Sequence, residues 1–297
     1  MLACQYGSHR AGLKVMEVEL PPPPGLGQVV VEIHSASLNP IDFKTHAGTH
    51  LALFNFRWPR VIGFDFSGVV SAVGEQEEEL ATDGVRAALN TLKVGDRVFG
   101  MISGLPQRDS GTVAQFCCVS ASVCELCPSN LSHDECASLP LVSITAGEAF
   151  MSAGLKCVAT STSYESNKDN KDNEGDSVAV SKNMNITTST ITTPALTEGN
   201  SSSRLTGPRT GPRVLVTGGS GGVGSIAIQL AKELFGASYV CTTASPSSFS
   251  LMKSLGADET LDYHGIDWGQ VQIRLEHEEG VERERGEGKF DAILDCR

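Results

Sequence analysis

Basic residues are scarce in this 297-residue chain, where 23 Lys and Arg stand against 35 Asp and Glu and give a formal net charge of −12 at pH 7. A nucleic-acid binder needs a basic patch to neutralise phosphates, and no predicted element carries a cluster of Lys and Arg. The composition therefore argues against nucleic-acid binding, and equally against attraction to an anionic membrane surface. With 40% hydrophobic residues the chain can build buried cores, and its length suggests two domains.

Long apolar runs are also missing. The most apolar segment, residues 137–155, is interrupted by Pro140, Ser143, Thr145 and Glu148, so no stretch reaches the roughly 20 residues of a transmembrane helix. We expect a soluble protein. The first residues, MLACQYGSHRAG, lack the apolar core of a secretory signal and the Arg-rich run of an organelle presequence. The nine cysteines are then typical of reduced thiols in an intracellular protein.

Residues 1–156 are predicted to form an all-β domain. Runs rich in β-branched residues and punctuated by Gly and Pro place strands at 29–34, 66–73, 97–101 and 112–119. Ser132 and Glu135 have the spacing of a capping box, which predicts a helix that leads out of this domain and is broken near Pro140.

Residues 157–212 have a different composition, dominated by Ser, Thr, Asn and Asp without an apolar period. Such a segment cannot bury enough apolar surface to offset its ordering entropy. We expect a disordered insertion between two domains.

Residues 213–297 alternate between strand and helix patterns. Strands are predicted at 213–217, 239–243, 260–263 and 290–295, and helices at 221–235 and 246–255. Ser245 is predicted as the N-cap of the second helix, with Pro246 at its first position. This order is typical of a doubly wound Rossmann domain.

The sequence VLVTGGSGGVG places a GxGxxG motif at Gly219, Gly221 and Gly224, between the first strand and the first helix of this domain. In that context Gly219 is expected to make the tight turn, Gly221 to let a pyrophosphate approach the backbone, and Gly224 to let helix and strand pack closely. The motif predicts a dinucleotide site.

The residues after the second strand indicate which dinucleotide is bound. An NAD site usually has an acidic residue there, whereas this chain has Thr242-Thr243-Ala244-Ser245. Ser245, Ser248 and Lys253 can donate hydrogen bonds to a 2′-phosphate. NADPH is therefore the predicted cofactor.

The chain resembles the medium-chain dehydrogenase/reductase superfamily, and within it the zinc-free quinone oxidoreductase branch that includes the mitochondrial reticulon-4-interacting protein group. The segments that carry this resemblance are SASLNPIDFKTHAG, PRVIGFDFSGVVSAVG, LKVGDRVFG, GTVAQFCCV, LSHDECASLPLVSITAGEAF, VLVTGGSGGVGSIAIQLAK and KSLGADETLDY.

The resemblance implies an N-terminal GroES-like β domain and a C-terminal Rossmann domain that share a cleft. It also implies that Thr145 lies near the nicotinamide. The NADPH contacts of the family would fall on Ser220, Gly222, Val223, Ser245 and Tyr263.

No metal site is expected. Zinc-dependent members of the superfamily have a Cys and a His where this chain has Asn-Pro-Ile-Asp and Phe64. Cys117, Cys118, Cys124 and Cys127 lack a correctly spaced His, so we interpret them as structural thiols.

Without a metal, hydrogen bonds must polarise the carbonyl of a quinone or enone that receives hydride from NADPH. Asn39 is the candidate donor to the substrate oxygen, Asp42 the residue that orients the loop, and Lys44 a further donor or proton source. Asn-Pro-x-Asp is also good turn chemistry in its own right, and that alternative stays open.

The last predicted strand is the fourth of a sheet that has six in the order 3-2-1-4-5-6. We therefore expect a Rossmann domain truncated after its fourth strand, for which the homodimer of the complete family fold is doubtful. The alternative functions are a non-catalytic NADPH-binding or interaction protein, or an inactive fragment. The resemblance implies a mitochondrial location, whereas the first residues favour the cytoplasm.

Overall fold

The computed structural model describes residues 1–48, 58–74, 92–102, 111–158, 211–264 and 290–296. They divide into two compact units, the first ending at Leu141 and the second beginning at Val142. Apart from two residues at each end, the predicted insertion at 157–212 lies outside the described residues, and its boundaries stay a prediction. In the described ranges, no helix has the length and apolar character that crossing a membrane requires.

The first unit consists mainly of antiparallel strands. Their bounds are β1 Leu2–Tyr6, β2 Lys14–Glu17, β3 Gln28–Ser37, β4 Arg60–Val61, β5 Asp65–Val73, β6 Arg97–Met101, β7 Phe116–Ser120 and β8 Cys124–Leu126. One sheet has the order β2-β1-β4 and the other β7-β3-β5-β6-β8. This is the β domain that the sequence predicted.

Alternate side chains of the strands point to one face of the larger sheet and form its core. Val29 and Val31 of β3 are fully buried, as are Phe66 and Val70 of β5 and Val98 of β6. Burying each such side chain stabilises the fold by about 1.5–3 kcal/mol before entropy is counted.

The fourth predicted strand begins later than residue 112. Val113 accepts a hydrogen bond from the Cys4 N–H at 2.9 Å, and Ala114 bridges to Ala3. These residues therefore pair with β1, and β7 begins only at Phe116, where the chain joins β3.

Three helices accompany these strands: α1 Pro40–Ala47, α2 His133–Ala137 and α3 Pro140–Ser152. The predicted capping box at the start of α2 is confirmed, because Ser132 Oγ accepts the Glu135 N–H at 3.2 Å and Glu135 Oε2 accepts the Ser132 N–H at 2.8 Å. The predicted break near Pro140 separates α2 from α3. Proline lacks the N–H that would continue a helix.

The second unit is a parallel α/β structure. Its elements are β9 Arg213–Thr217, α4 Gly222–Glu233, β10 Tyr239–Ala244, α5 Phe249–Ser254, β11 Glu259–Asp262 and β12 Ala292–Asp295. All four strands are parallel in the order β11-β10-β9-β12. This is the 3-2-1-4 order of a Rossmann sheet.

Small and branched side chains fill the core between this sheet and its helices. Ala227, Ile228 and Ala231 of α4 are fully buried with Val214 and Val216 of β9. The last turns of α3 join the same core, where the Phe150 ring meets the Phe235 ring edge-on at 5.1 Å.

The second predicted helix of this domain is not continuous. A 3₁₀ turn over Pro246–Ser248 precedes α5. Pro246 occupies the first position and Ser245 the N-cap position, but the Ser245 hydroxyl makes no cap bond and approaches Ser247 and Ser248 instead. Serine side chains that bond locally compete with regular helix.

Candidate functional site: a glycine-rich loop and a buried aspartate

The loop between β9 and α4 begins with a left-handed residue. That residue is Gly218, with φ of +68°, and not Gly219 as the motif predicted. Gly219 is required for a different reason: a Cβ there would lie 2.0 Å from Thr242 Oγ1 and 2.9 Å from Met252 Sδ. The first glycine of the motif therefore makes room for β10 and α5.

The other two motif glycines differ in their surroundings. A Cβ on Gly224 would lie 2.3 Å from the Gly218 oxygen, so Gly224 permits the close contact of helix and loop that the motif predicts. Gly221 is exposed, and a Cβ on it would meet only the Gly218 oxygen, at 3.3 Å. The space beside Gly221 is open to a ligand.

The first turn of α4 presents backbone N–H groups to this space. The first bond into the helix is Ser225 N–H to the Gly221 oxygen, at 2.9 Å, so Gly222, Val223 and Gly224 have no acceptor within the helix. These N–H groups and the positive end of the helix dipole fit an anion such as a pyrophosphate. Ser220 is exposed beside them.

The carboxyl end of β10 carries hydroxyl groups and no carboxylate. Ser245 Oγ lies 3.0 Å from Ser247 Oγ and 3.5 Å from Ser248 Oγ, and Lys253 is exposed on α5. Hydroxyl and ammonium groups are donors that a phosphate accepts from.

A carboxylate lies on the neighbouring strand. Asp262 of β11 pairs in register with Ala244, the last residue of β10. It accepts hydrogen bonds from the His264 N–H at 3.0 Å and from His264 Nδ1 at 2.7 Å. These bonds lower the pKa of Asp262. Tyr263 between them is 50% exposed, with its ring 4.3 Å from the His264 ring.

Thr145 is exposed on α3. Val142, three residues earlier on the same helix face, approaches the loop, since its Cγ1 would be 3.3 Å from a Cβ on Gly222. The proximity of Thr145 to the nicotinamide stays a prediction.

Asn39 and Asp42 lie at the start of α1 in the first unit. Asp42 is buried, and its carboxylate accepts the Asn39 N–H at 2.7 Å and the Gly63 N–H at 3.0 Å. Burial raises the pKa of Asp42 against these two hydrogen bonds. Asp42 therefore fixes the start of α1 and the chain at Gly63. Lys44 is exposed on the same helix.

The side chain of Asn39 is held by Asp65, which sequence reasoning missed. Asn39 Nδ2 donates to Asp65 Oδ2 at 2.8 Å. Ser37 Oγ donates to the same oxygen at 3.1 Å, and the Leu141 N–H donates to Oδ1 at 3.2 Å. Asp65 is fully buried, and burial raises its pKa to about 6. The only available signal was a charged residue inside the apolar strand pattern GFDFSGVV.

The cysteine side chains show no metal-binding arrangement. Among the described residues, no group of three or more His, Cys, Asp or Glu side chains could hold a metal ion. Burial raises the pKa of the Cys117 thiol to about 12 and also raises that of Cys124.

Family models describe both units. The model of the alcohol dehydrogenase GroES-like domain matches residues 25–129, and that of zinc-binding dehydrogenases matches residues 222–297. The chain belongs to the medium-chain dehydrogenase/reductase superfamily. Within that superfamily it falls in the quinone oxidoreductase branch, as the following relatives indicate.

The chain is similar to a 2-methylene-furan-3-one reductase from Solanum lycopersicum, at 33% identity over 80% of this chain and 45% of the relative. It is 29% identical to an NAD(P)H oxidoreductase, RTN4IP1, mitochondrial, from Danio rerio, over 90% of this chain and 52% of the relative. The chain thus spans about half the length of these curated relatives.

Among solved structures, the quinone oxidoreductase from Coxiella burnetii superposes with a TM-score of 0.58 at 27% identity. The match covers 90% of this chain and 63% of the other. It supports the fold of both units described above.

Proposed function

We propose that this chain carries the parts of an NADPH-dependent oxidoreductase that transfers hydride to a quinone or enone acceptor without a metal. The observation that carries the proposal is the loop at Gly218–Gly224, which opens onto the unsatisfied N–H groups of α4. A nicotinamide cofactor bound there supplies the hydride. The names of the tomato and zebrafish relatives support this reaction class.

The preference for NADPH rests on the end of β10. Ser245 and Ser248 supply hydroxyl donors, Lys253 lies one turn further along α5, and Ala244 stands at the last strand position. A 2′-phosphate gains donors here and meets no carboxylate on this strand. The Tyr263 ring, half exposed after β11, completes the set of proposed contacts.

The proposed contact with the substrate is made by Asn39. An ionised Asp65 can only accept hydrogen bonds, so it must face the Nδ2 group of Asn39. That contact uses one N–H of the amide and leaves the other free to donate to a carbonyl oxygen. Asn39 is thus proposed as the polarising donor, with Asp65 and Asp42 as positioning residues.

A fluorescence titration of the full chain with NADPH and NADH tests the cofactor half. We expect tighter binding of NADPH, and in Ser245→Asp a preference shifted towards NADH because a carboxylate repels the 2′-phosphate and accepts from ribose hydroxyls. Equal affinities in the unaltered chain would contradict the NADPH assignment. Absence of binding to either would contradict the site itself.

Oxidation of NADPH with an ortho-quinone or an enone tests the catalytic half. We expect turnover that falls about 100-fold or more in Asn39→Ala, the scale of one lost polarising donor, and that is unchanged in Lys14→Ala, an exposed change on β2. NADPH binding without oxidation of any acceptor would favour the non-catalytic alternative. A mitochondrial location is proposed on the name of the zebrafish relative.

A further inference from the structure

A second polar cluster lies on the strand that carries Asp65. Ser67 is two residues further along β5, so its side chain leaves the same face of the sheet. It is fully buried and meets Cys127, just after β8, and His133 in α2. Arg97, at the start of β6, reaches the other ring nitrogen of His133.

The hydrogen bonds of this cluster have a definite direction. Arg97 Nε can only donate, and it lies 3.4 Å from His133 Nε2. His133 therefore carries its hydrogen on Nδ1, which donates to Ser67 Oγ at 2.7 Å. Burial, His34 and Arg97 lower the pKa of His133, which favours the neutral ring.

Ser67 lies between a backbone oxygen and a sulfur atom. Its hydroxyl donates to the Val98 oxygen at 3.0 Å and lies 3.3 Å from Cys127 Sγ. A hydroxyl rotates about its C–O bond, so the same hydrogen can turn from the Val98 oxygen to the sulfur. Cys127 then stands at the end of a chain of hydrogen bonds that begins at the Arg97 guanidinium.

Cys136 completes the cluster. It stands three residues after His133, on the same face of α2, and the neighbouring Cys127 thiol helps to raise its pKa. Cys136 is fully buried, whereas Cys127 is partly accessible. Burial raises the pKa of Cys136, so that this sulfur holds its proton while Cys127 meets the solvent.

We propose that Cys127 and Cys136 form an oxidisable thiol pair, which closes an intramolecular disulfide when the chain meets a hydroperoxide. Accessible Cys127 is the attacked thiol and buried Cys136 the resolving one. The pair takes no part in the proposed reaction of Asn39 or in cofactor binding, so the inference stands apart from the proposed function.

The chemistry balances in two steps. The Cys127 thiol loses its proton to water, and its sulfur attacks the terminal oxygen of the hydroperoxide; the S–O bond forms, the O–O bond breaks, and an alcohol leaves after taking up a proton. Cys136 sulfur then attacks Cys127 sulfur; the S–S bond forms, the S–O bond breaks, and water leaves with the Cys136 proton. Two thiols are oxidised and one hydroperoxide is reduced.

Peptide mapping of the full chain tests the pair directly. The chain is treated with tert-butyl hydroperoxide, unreacted thiols are alkylated, and the digest is analysed with and without a reductant. We expect one cross-linked peptide joining Cys127 to Cys136, lighter by two hydrogens than its reduced parts. Alkylation of both cysteines after treatment, or a link from Cys127 to any other cysteine, would overturn the proposal.

Two variants separate the roles of the cysteines. In Cys136→Ser the reaction should stop at the sulfenic acid of Cys127, which dimedone traps. Cys157→Ser, which removes an exposed thiol elsewhere, should leave the cross-link intact. Dimedone labelling of Cys136 with Cys127 unmodified would reverse the assigned order and refute the proposal.

The hydrogen-bond chain has its own test. Ser67→Ala removes the hydroxyl that lies 3.3 Å from Cys127 Sγ and should slow cross-linking several-fold. Ser71→Ala is the matched control, because it removes a serine from the same strand whose hydroxyl donates to the Val30 oxygen, at 3.1 Å. An equal rate in both variants would contradict the role of Ser67.

Discussion

Asp65 is the buried carboxylate that holds the side chain of Asn39, the residue just before α1. It is fully buried, and burial raises its pKa to about 6 against hydrogen bonds from Asn39, Ser37 and Leu141. Above that pH the ionised carboxylate fixes the Asn39 amide through Nδ2. Below it, a protonated oxygen becomes a donor itself and the amide loses its single orientation.

The raised pKa of Asp65 gives a prediction for stability. Between about pH 4 and pH 6 the folded chain binds more protons at Asp65 than the unfolded chain does. The free energy of unfolding should therefore fall as the pH rises through this window, by at most roughly 3 kcal/mol. Asp65→Asn preserves the shape of the side chain and cannot titrate, so its free energy of unfolding should not show this decrease.

Urea unfolding of both chains at several pH values measures the effect. The stability of Asp65→Asn relative to the unaltered chain should grow from about pH 4 to pH 6 and stay constant above. A relative stability that is the same at every pH would contradict the raised pKa.

At the residue scale, the short spacing of residues in the sequence identified some hydrogen-bond partners and missed others. Asn39 and Asp42 stand out in Asn-Pro-Ile-Asp, and the structure shows the turn chemistry of that motif in the bond between them; the substrate role of Asn39 stays a prediction. Asp65 was missed because its donors come from 26, 28 and 76 residues away. No local pattern encodes such contacts.

At the scale of elements, the apolar pattern predicted β3, β5, β6 and β7, the strands of the second unit and α4, but neither α1 nor the short strands β1, β2, β4 and β8. The buried side chains of α1 are Asp42 and Thr45, both polar, while Ile41 and Phe43 are 37% and 61% exposed. This helix therefore has no apolar stripe for sequence reasoning to detect. Its start depends on the Asp42 carboxylate and on Pro40 at its first position.

The glycine loop gives a matched pair of variants. Gly219→Ala places a Cβ against Thr242 and Met252 and should lower the free energy of unfolding by about 3 kcal/mol, the upper part of the range for overpacking. Gly221→Ala places its Cβ in open space at a φ of −78°, and should change stability by less than about 1 kcal/mol.

The same two variants should also differ in their affinity for NADPH, and here Gly221→Ala is expected to have the larger effect. The Cβ of Gly221→Ala occupies the space proposed for the pyrophosphate and should weaken binding about tenfold or more. Chemical denaturation and the fluorescence titration measure the two quantities. Unaltered affinity in a stable Gly221→Ala chain would show that phosphate does not approach the backbone at this residue.

At the scale of the whole molecule, acidic residues dominate. The net charge of −12 at pH 7 and the isoelectric point of about 5.0 mean that self-repulsion disappears as the pH approaches 5. Solubility should pass through a minimum near pH 5 and rise again on either side. Measuring the protein left in solution after centrifugation across this range checks the prediction, and a steady solubility through pH 5 would refute it.

The contact between Gly219 and Thr242 also limits how this sequence can change with time. Thr242 is fully buried and donates from Oγ1 to the Val216 oxygen at 2.8 Å, the same atom that a Cβ at position 219 would strike. A smaller residue at 242, together with a shift of Met252, is needed before a residue larger than glycine fits at 219 without a loss of stability. Descendants of this chain can therefore exchange these two residues in one order only.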